Sequence, residues 1–366
     1  MDFNFSDEQK QLRDAIRRYF SQEYGFEQRK KIIQSPQGTS DTIWAGMAEL
    51  GLMSVPAPEA AGGFNGNGVD TMVVMEELGR ALVCEPYFAT AIMGMAFLKA
   101  SGEEAHLALL SKVVEGKAKL AVGLTEKQSR HELFNVTTTL KDGKLDGSKT
   151  VVLHGGEADH LIVSARVSGA QRDAAGLVVA MVDAKAPGVS IAAYRTIDGM
   201  RAADITFTNV AATTLSSDAA AVIEQVADVG IVALCAEAVG AMTVANEQTL
   251  DYLKTRQQFG VVIGKFQALQ HRATEMFMEL ELAKSLTYLA AVKVDSADRA
   301  ERRKAVSAAK VRVGKALKFV GQQAVHMHGG MGVTYEMPIS HYFKRLTMIG
   351  ETLGDVDHHL ALFASL

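Results

Sequence analysis

Apolar positions change their spacing twice along this chain of 366 residues. Up to about residue 117 they recur at every third or fourth position, as at Ile16 and Phe20, which predicts amphipathic helices. Across 118–216 they form short runs separated by Gly and Asp-Gly turns, a spacing typical of an antiparallel barrel or sandwich. Helical spacing then returns over 217–366. We therefore predict a mainly α chain with a central β domain, divided as 1–117, 118–216 and 217–366.

Two long helical patterns, 227–256 and 266–294, are joined by a short apolar loop. Arg256 opens the loop and Phe259 follows three residues later, a pairing that suits a phosphate and a flat ring held side by side. This suggests a nucleotide cofactor. The helix dipole alone also favours an arginine at a helix C-terminus, and Phe259 fits a core position, so spacing leaves both interpretations open.

Composition excludes several classes of partner. A net charge of −4 gives no reason to expect nucleic acid or an anionic membrane. The apolar segment 219–245 is interrupted by Glu224, Asp228 and Glu237, so we expect no membrane span. The charged start is not the pattern of a signal peptide. A cytoplasmic location is expected.

The sequence lacks the motifs of several other enzyme classes. The sequence contains no G-x-S-x-G elbow, no P-loop and no G-x-G-x-x-G opening a βαβ unit, which excludes serine hydrolase, NTPase and Rossmann interpretations. Cys84 and Cys235 lie in apolar helical surroundings and are expected to be buried and inert. His326 and His328 are metal-capable, but we predict no metal site.

Two segments carry a resemblance to a known family. RQQFGVVIGKFQALQH, residues 256–271, resembles the R-x-x-F-G-x-x-I-x-x-F-Q-x-x-Q-H segment of the acyl-CoA dehydrogenase family. HMHGGMGVTYEMP, residues 326–338, resembles its Q-x-x-G-G-x-G-x-x-x-E-x-P segment, with His326 where the family commonly has Gln. The resemblance implies that these segments reach across a subunit interface to the adenosine diphosphate half of FAD. The implied cofactor-binding residues are Arg256, Phe259, Phe266, Gln267, His326, Gly329 and Gly330.

An ungapped extension of the resemblance places Glu351 on the carboxylate that abstracts the α-proton of an acyl-CoA thioester. Gly350 and Thr352 replace the aromatic and the glycine that flank this carboxylate in the family. Some members carry the base elsewhere, at a place held here by Gly230 and Ile231, so no second acid competes. The residues alone also allow Glu351 to be an exposed carboxylate with no catalytic role.

The middle domain resembles the family in outline and departs from it in detail. Thr125, in Leu-Thr-Glu, stands where the family has a threonine facing the flavin pyrimidine edge. KQSRHE, residues 127–132, replaces the P-G-A-G-S-D loop and leaves Arg130 and His131 as candidate donors. Val151 and Leu153 take the places of a tryptophan that packs on the isoalloxazine and a hydroxyl that contacts its N5 atom.

The pattern K-T-V-V-L-H-G-G is similar to a short bacterial branch of the family. That branch contains pimeloyl-CoA dehydrogenase small subunits and heterotetrameric steroid-side-chain acyl-CoA dehydrogenases. The resemblance implies an N-terminal helical domain, a middle β domain and a C-terminal four-helix bundle, with the flavin between the last two. It implies α,β-dehydrogenation of an acyl-CoA, reoxidation by an electron-transfer flavoprotein, and a homodimer, homotetramer or heterotetramer with a related subunit.

Two alternatives stay open at this point. One is a non-catalytic or FAD-sharing partner subunit of a heteromeric acyl-CoA dehydrogenase, favoured by Val151, Leu153 and the altered loop 127–132. The other is a flavin monooxygenase or nitroalkane oxidase on the same fold, which needs an oxygen-reactive flavin that motif spacing does not exclude.

Overall fold

The computed structural model describes residues 5–217 and 219–366, apart from the side chain of Glu103. The first four residues of the predicted N-terminal domain, and Asp218, lie outside the described residues. The predicted order of helical, β and helical segments is confirmed. The N-terminal helices are α1 (Asp7–Glu23), α2 (Phe26–Gln34), α3 (Asp41–Glu49), α4 (Gly68–Ala81), α5 (Met95–Ala100) and α6 (Glu103–Val114).

The strands of the central segment follow α6. They are β1 (Leu120–Gly123), β2 (Thr139–Lys141), β3 (Lys144–Leu153), β4 (His160–Arg166), β5 (Leu177–Asp183), β6 (Val189–Arg195), β7 (Arg201–Ala211) and β8 (Thr213–Ser216). The C-terminal part contains α7 (Ala219–Thr255), a small hairpin of β9 (Gln257–Gln258) and β10 (Val261–Val262), α8 (Gln267–Lys293), α9 (Arg299–Met327), α10 (Pro338–Glu351) and α11 (Val356–Ser365).

The chain forms two compact units, each built from separate stretches of sequence. The helical unit comprises Met1–Arg29, Gly68–Val83 and Ile231–Leu366, and the mixed unit comprises Lys30–Asn67 and Cys84–Gly230. The division into 1–117, 118–216 and 217–366 remains a prediction about sequence domains.

Helix α1 begins with a side-chain cap at Ser6. The Ser6 hydroxyl accepts a hydrogen bond from the Gln9 amide at 3.2 Å, and the Gln9 side chain accepts one from the Ser6 amide at 3.1 Å. This reciprocal capping box satisfies two amides that an uncapped helix would leave unpaired. Ile16 and Phe20 lie on the buried face of the helix, as predicted.

The mixed unit is built on one sheet. Among the described residues eight strands join it, in the order β6-β7-β3-β2-β4-β5-β8, with β1 paired to β4. The pairings are mainly antiparallel, as predicted, but β4 pairs in parallel with both β1 and β2. A parallel pair needs a crossover rather than a tight turn, and β3 supplies the connection between β2 and β4. The buried apolar core includes Leu145, Leu161, Val163, Ile205 and Phe207.

In the helical unit, α9 packs against α8, α10 and α11. Helices α4 and α7 approach each other closely at two glycines. A Cβ built on Gly79 would lie 2.0 Å from the Glu237 carbonyl oxygen, and one built on Gly240 would lie 1.8 Å from the Glu76 carbonyl oxygen. Only glycine therefore permits this crossing.

Helix α7 is long and apolar enough to cross a membrane by length and composition, but 67% of its most apolar window is buried inside the protein. The core helix of a folded domain has the same property. Glu237 within α7 forms a buried ion pair with Arg345 of α10, with Nε and Nη2 at 2.5 and 2.7 Å from the two carboxylate oxygens. Cys84 and Cys235 are buried as expected, and burial raises the pKa of Cys235 to about 12, which keeps its thiol protonated.

Candidate functional site

The segment after α7 is a hairpin rather than the plain loop predicted from the sequence. Phe259 and Gly260 form its two-residue turn, with φ of 55° and 76°, the signature of a type I′ turn. Phenylalanine is uncommon in the left-handed region, and here its side chain is 89% exposed. The Phe266 ring meets it edge-on at 6.1 Å between centroids. The hairpin thus presents an aromatic ring outward at a cost in local conformation.

Arg256 lies at the base of this hairpin. Its amide donates to the Tyr252 carbonyl at 2.8 Å, and its own carbonyl accepts from the Ile263 amide at 2.9 Å. The guanidinium is exposed and forms no hydrogen bond or ion pair within the part of the chain that the structure describes. The backbone is therefore held while the cation is available to a ligand.

The glycine segment after α9 is open to close approach. Gly329 has φ of +60°, and among the described residues no atom beyond the adjoining residues lies within 4 Å of a Cβ built on Gly329 or Gly330. His326 is exposed on the last turn of α9. A ligand or a neighbouring chain can therefore reach this backbone directly.

A stacked pair of rings joins the hairpin to the glycine segment. Tyr252, one turn before Arg256, stacks on His328, with centroids 4.4 Å apart and planes 25° apart. His328 is buried, its Nδ1 lies 2.8 Å from the Ala324 carbonyl, and burial lowers the pKa of His328. Sequence reasoning missed this pair because His328 was considered only as a metal-capable residue.

This surface fits one half of a dinucleotide cofactor such as FAD. It offers the exposed Arg256 guanidinium, the exposed Phe259 ring and the open backbone at Gly329 and Gly330, groups that suit a diphosphate and an adenine. Gln267 is exposed at the first turn of α8, where Phe266 as N-cap provides no side-chain hydrogen bond. The backbone amides of that turn are thus further candidate donors to an anion.

Glu351 is the last residue of α10 and is exposed. The Arg345–Glu237 ion pair holds the middle of this helix, and Lys310 of α9 holds its end. Gly230 and Ile231 lie inside α7, as the sequence predicts. The structure therefore presents Glu351 from a fixed helix end.

In the mixed unit the altered loop closes on a buried carboxylate. Glu126 accepts hydrogen bonds from the Lys149 ammonium at 2.7 Å, from the Thr137 amide at 2.7 Å and from the Thr138 amide at 3.1 Å. Burial opposes ionisation, but Lys149 and hydrogen bonds from the Thr137 and Gln128 side chains prevail and lower the pKa of Glu126 to about 2. Burial lowers the pKa of Lys149 to about 8. The residue that directly precedes the altered loop 127–132 is therefore held by other groups of this chain.

Thr125 lies directly before this loop, and its carbonyl accepts the Thr150 amide at 2.9 Å. Arg130 is exposed on the loop in the left-handed region, with φ of 46°, and His131 is half-buried beside it. Neither position reproduces the small residues of the family's loop. They remain candidate donors only.

Val151 occupies a bulge in the pairing of β3 with β7. Its φ is 53°, a strained conformation for a β-branched residue that costs ~1–3 kcal/mol. Its amide donates to the Asp204 carboxylate at 3.0 Å, which the Tyr194 hydroxyl also contacts at 3.0 Å. The Val151 side chain stays 49% exposed, and Leu153 ends the same strand half-buried. The bulge thus turns an apolar side chain outward where the resemblance has an aromatic.

Comparison with known proteins shows which family the chain resembles along nearly its whole length. Three family models match the chain: the acyl-CoA dehydrogenase N-terminal domain over residues 6–117, its middle domain over 121–210 and its C-terminal domain over 220–362. Acyl-CoA dehydrogenase IpdE2 of Mycolicibacterium smegmatis is 28% identical over 350 residues, covering 95% of each chain. CarC of Acetobacterium woodii, a subunit of a caffeyl-CoA reductase-Etf complex, is 26% identical over 355 residues, covering 93% of each.

A solved structure is similar over nearly the whole chain. A variant of the Tcur3481-Tcur3483 steroid ACAD superposes with a TM-score of 0.90 and 30% identity, covering 98% of this chain and 97% of that one. The matches confirm both the resemblance and the fold class predicted from the sequence.

Proposed function

The chain belongs to the acyl-CoA dehydrogenase family, whose members are FAD-dependent oxidoreductases acting on CH–CH groups, and from that premise we propose that Glu351 is its catalytic base. The reaction is α,β-dehydrogenation of an acyl-CoA thioester to the 2-enoyl-CoA. The observation that carries the assignment is an exposed carboxylate at the end of α10 whose neighbouring carbonyls are fixed by Lys310.

The chemistry requires a positioned carboxylate. The α-proton of a thioester is weakly acidic, so the base must be aligned with the C–H bond before it can act. Glu351 takes this proton, the α,β double bond forms, and the β-hydrogen leaves with its electron pair. FAD, when bound, supplies the acceptor for that hydride.

The cofactor residues divide between two surfaces. Arg256 binds the diphosphate and Phe259 packs on the adenine, and both act across a subunit interface, as the resemblance to the family implies. Gly329 and Gly330 admit the same half of the cofactor, with Phe266, Gln267 and His326 beside them. The flavin ring is contacted by Thr125, Val151 and Leu153.

The exchange of Glu351 for Gln tests the base. Glu351→Gln keeps the shape of the side chain and removes its basicity, so turnover should be lost while the FAD content per chain is unchanged. A variant with near wild-type turnover would show that Glu351 is not the catalytic base.

One relative supports a proposal for the electron acceptor. CarC belongs by name to a complex with Etf, which supports an electron-transfer flavoprotein as the partner that reoxidises FAD. We propose a cytoplasmic enzyme, assembled as a homodimer, a homotetramer or a heterotetramer.

The second candidate is a non-catalytic or FAD-sharing subunit of a heteromeric dehydrogenase. The self-contained loop around Glu126 and the missing aromatic at Val151 favour it, and the similar steroid ACAD is named by two components. Co-expression with a related chain distinguishes the two. Flavin that binds only when the second chain is present favours the shared site.

A further inference from the structure

A buried lysine lies beneath the turn that carries Glu351. Lys310, on α9, is 1% exposed. Its ammonium donates to the Ile349 carbonyl at 2.5 Å and to the Thr352 carbonyl at 2.8 Å. These two carbonyls lie on either side of Glu351 in the chain.

The end of α10 explains why donors are needed there. The last four carbonyls of a helix have no partner within the helix. The Met348 carbonyl accepts hydrogen bonds from the Thr352 amide at 3.1 Å and from the Thr352 hydroxyl at 2.7 Å. The Lys310 ammonium donates to the Ile349 carbonyl and to the carbonyl of Thr352, the residue just past the helix. Removal of a buried ammonium that bridges two carbonyls leaves both unpaired.

A second buried side chain holds the far side of the turn. Leu353 and Gly354 have φ of 57° and 108°, so the chain reverses immediately after the helix. His359 of α11 lies 2.9 Å from the Leu353 carbonyl through Nε2, and burial lowers the pKa of His359 to about 3. The neutral ring therefore donates to that carbonyl. The turn is held from α9 on one side and from α11 on the other.

Burial is the main influence on Lys310 and lowers its pKa to about 8, while Glu351 and Asp355 favour the charged ammonium and Arg345 opposes it. A buried cation costs free energy that an apolar residue would avoid. The contacts of Lys310 with the carbonyls on either side of Glu351 indicate a role at this helix end.

We propose that Lys310 is a positioning residue for Glu351, fixing the two carbonyls that flank it and so the direction in which its carboxylate leaves the helix end. The inference rests on the proposed function, because it needs Glu351 to be the base. It concerns how the carboxylate is held and not contact with substrate.

The test compares three variants of the assembled, flavin-bound enzyme. Lys310→Met keeps the length of the side chain and removes its donors, while Lys310→Gln keeps amide donors without the charge. Lys315→Met changes an exposed lysine of the same helix and is the matched control. Each is measured for kcat, KM, FAD per chain and the α-deuterium isotope effect.

Misplacement of the base should lower kcat of Lys310→Met ~10- to 100-fold, since small displacements of a reacting group have effects of this size. KM should stay within about threefold and FAD content should not change, because binding of substrate and cofactor is untouched. The isotope effect should rise, Lys310→Gln should recover part of kcat, and Lys315→Met should match the wild type. Added to Glu351→Gln, the Met change should cause no further loss.

The outcomes separate the two claims. A wild-type enzyme that turns over, fails in Glu351→Gln and survives Lys310→Met overturns the role of Lys310 and leaves the proposed function standing. Loss of FAD together with turnover in both the Met and Gln variants assigns Lys310 to folding and overturns positioning. A wild type without turnover, or with turnover that survives Glu351→Gln, overturns the base and with it the residue that positions it.

Discussion

Tyr252 and His328 stack with their ring centroids 4.4 Å apart, and this contact joins the end of α7 to the end of α9. Arg256 follows one ring by a single helical turn, and Gly329 follows the other directly. The two sequence segments that resemble FAD-binding motifs are thus brought to the same place. Neither segment alone indicates the contact that joins them.

Removal of the stacked ring should weaken cofactor binding. Tyr252→Ala should raise the apparent Kd for FAD roughly 2- to 10-fold, because an aromatic pair contributes about 0.5–1.5 kcal/mol beyond its buried area. Titration of FAD into the stripped, assembled protein measures this. Tyr252→Phe retains the ring and should bind like the wild type; equal weakening in both variants would contradict a role for stacking.

The exposed ring at the hairpin tip should matter for the cofactor and not for folding. Phe259→Asn removes the ring and suits the left-handed turn position, so thermal stability of the flavin-free protein should stay the same or rise. FAD retention should fall. A variant that unfolds more easily but retains FAD would show that Phe259 supports the hairpin only.

The loop after Thr125 should depend on its buried ion pair. Glu126→Gln leaves the Lys149 ammonium buried without its counter-charge and should lower the free energy of unfolding by ~3–5 kcal/mol. Adding Lys149→Met should restore part of that loss. Glu132→Gln, which breaks an exposed pair with Arg172, is the control and should change it by about 1 kcal/mol or less. If urea unfolding shows that Glu132→Gln and Glu126→Gln lower the free energy of unfolding equally, the buried ion pair does not stabilise this loop.

Acid should destabilise the fold through His359. Its folded pKa of about 3 lies below its ordinary value of 6.5, so between these values the unfolded chain binds more protons and stability falls as pH falls. The slope from one such group approaches about 1.4 kcal/mol per pH unit. His359→Gln can still donate to Leu353 and should flatten the dependence of unfolding on pH in this window. An unchanged slope would exclude His359 as the source.

Local pattern predicted much of the fold. The buried face at Ile16 and Phe20 and the change from helical to β spacing both depend on neighbours in sequence, and both are confirmed. The residues assigned to the cofactor and to catalysis came from resemblance, and those roles stay predictions. Helical periodicity alone also did not single out Lys310 on α9, where Lys304, Lys315 and Lys318 are exposed. Its burial depends on α10 and α11, which pack from distant parts of the chain.

The hairpin escaped prediction for a related reason. Two-residue turns are recognised by Asn-Gly or Asp-Gly, and Phe259-Gly260 does not carry that signal. The bulge at Val151 likewise depends on its pairing with β7 and on the Asp204 side chain. Such conformations are determined by tertiary contacts, which sequence spacing does not report.

We propose that this chain dehydrogenates acyl-CoA with FAD bound in its own assembly. The most direct test is to purify the protein alone, count flavin per chain, and titrate it anaerobically with a panel of acyl-CoA thioesters. We expect a yellow protein whose flavin absorption is bleached by a preferred thioester, and no bleaching in Glu351→Gln. A colourless protein, or a flavin that no thioester reduces, would contradict this proposal.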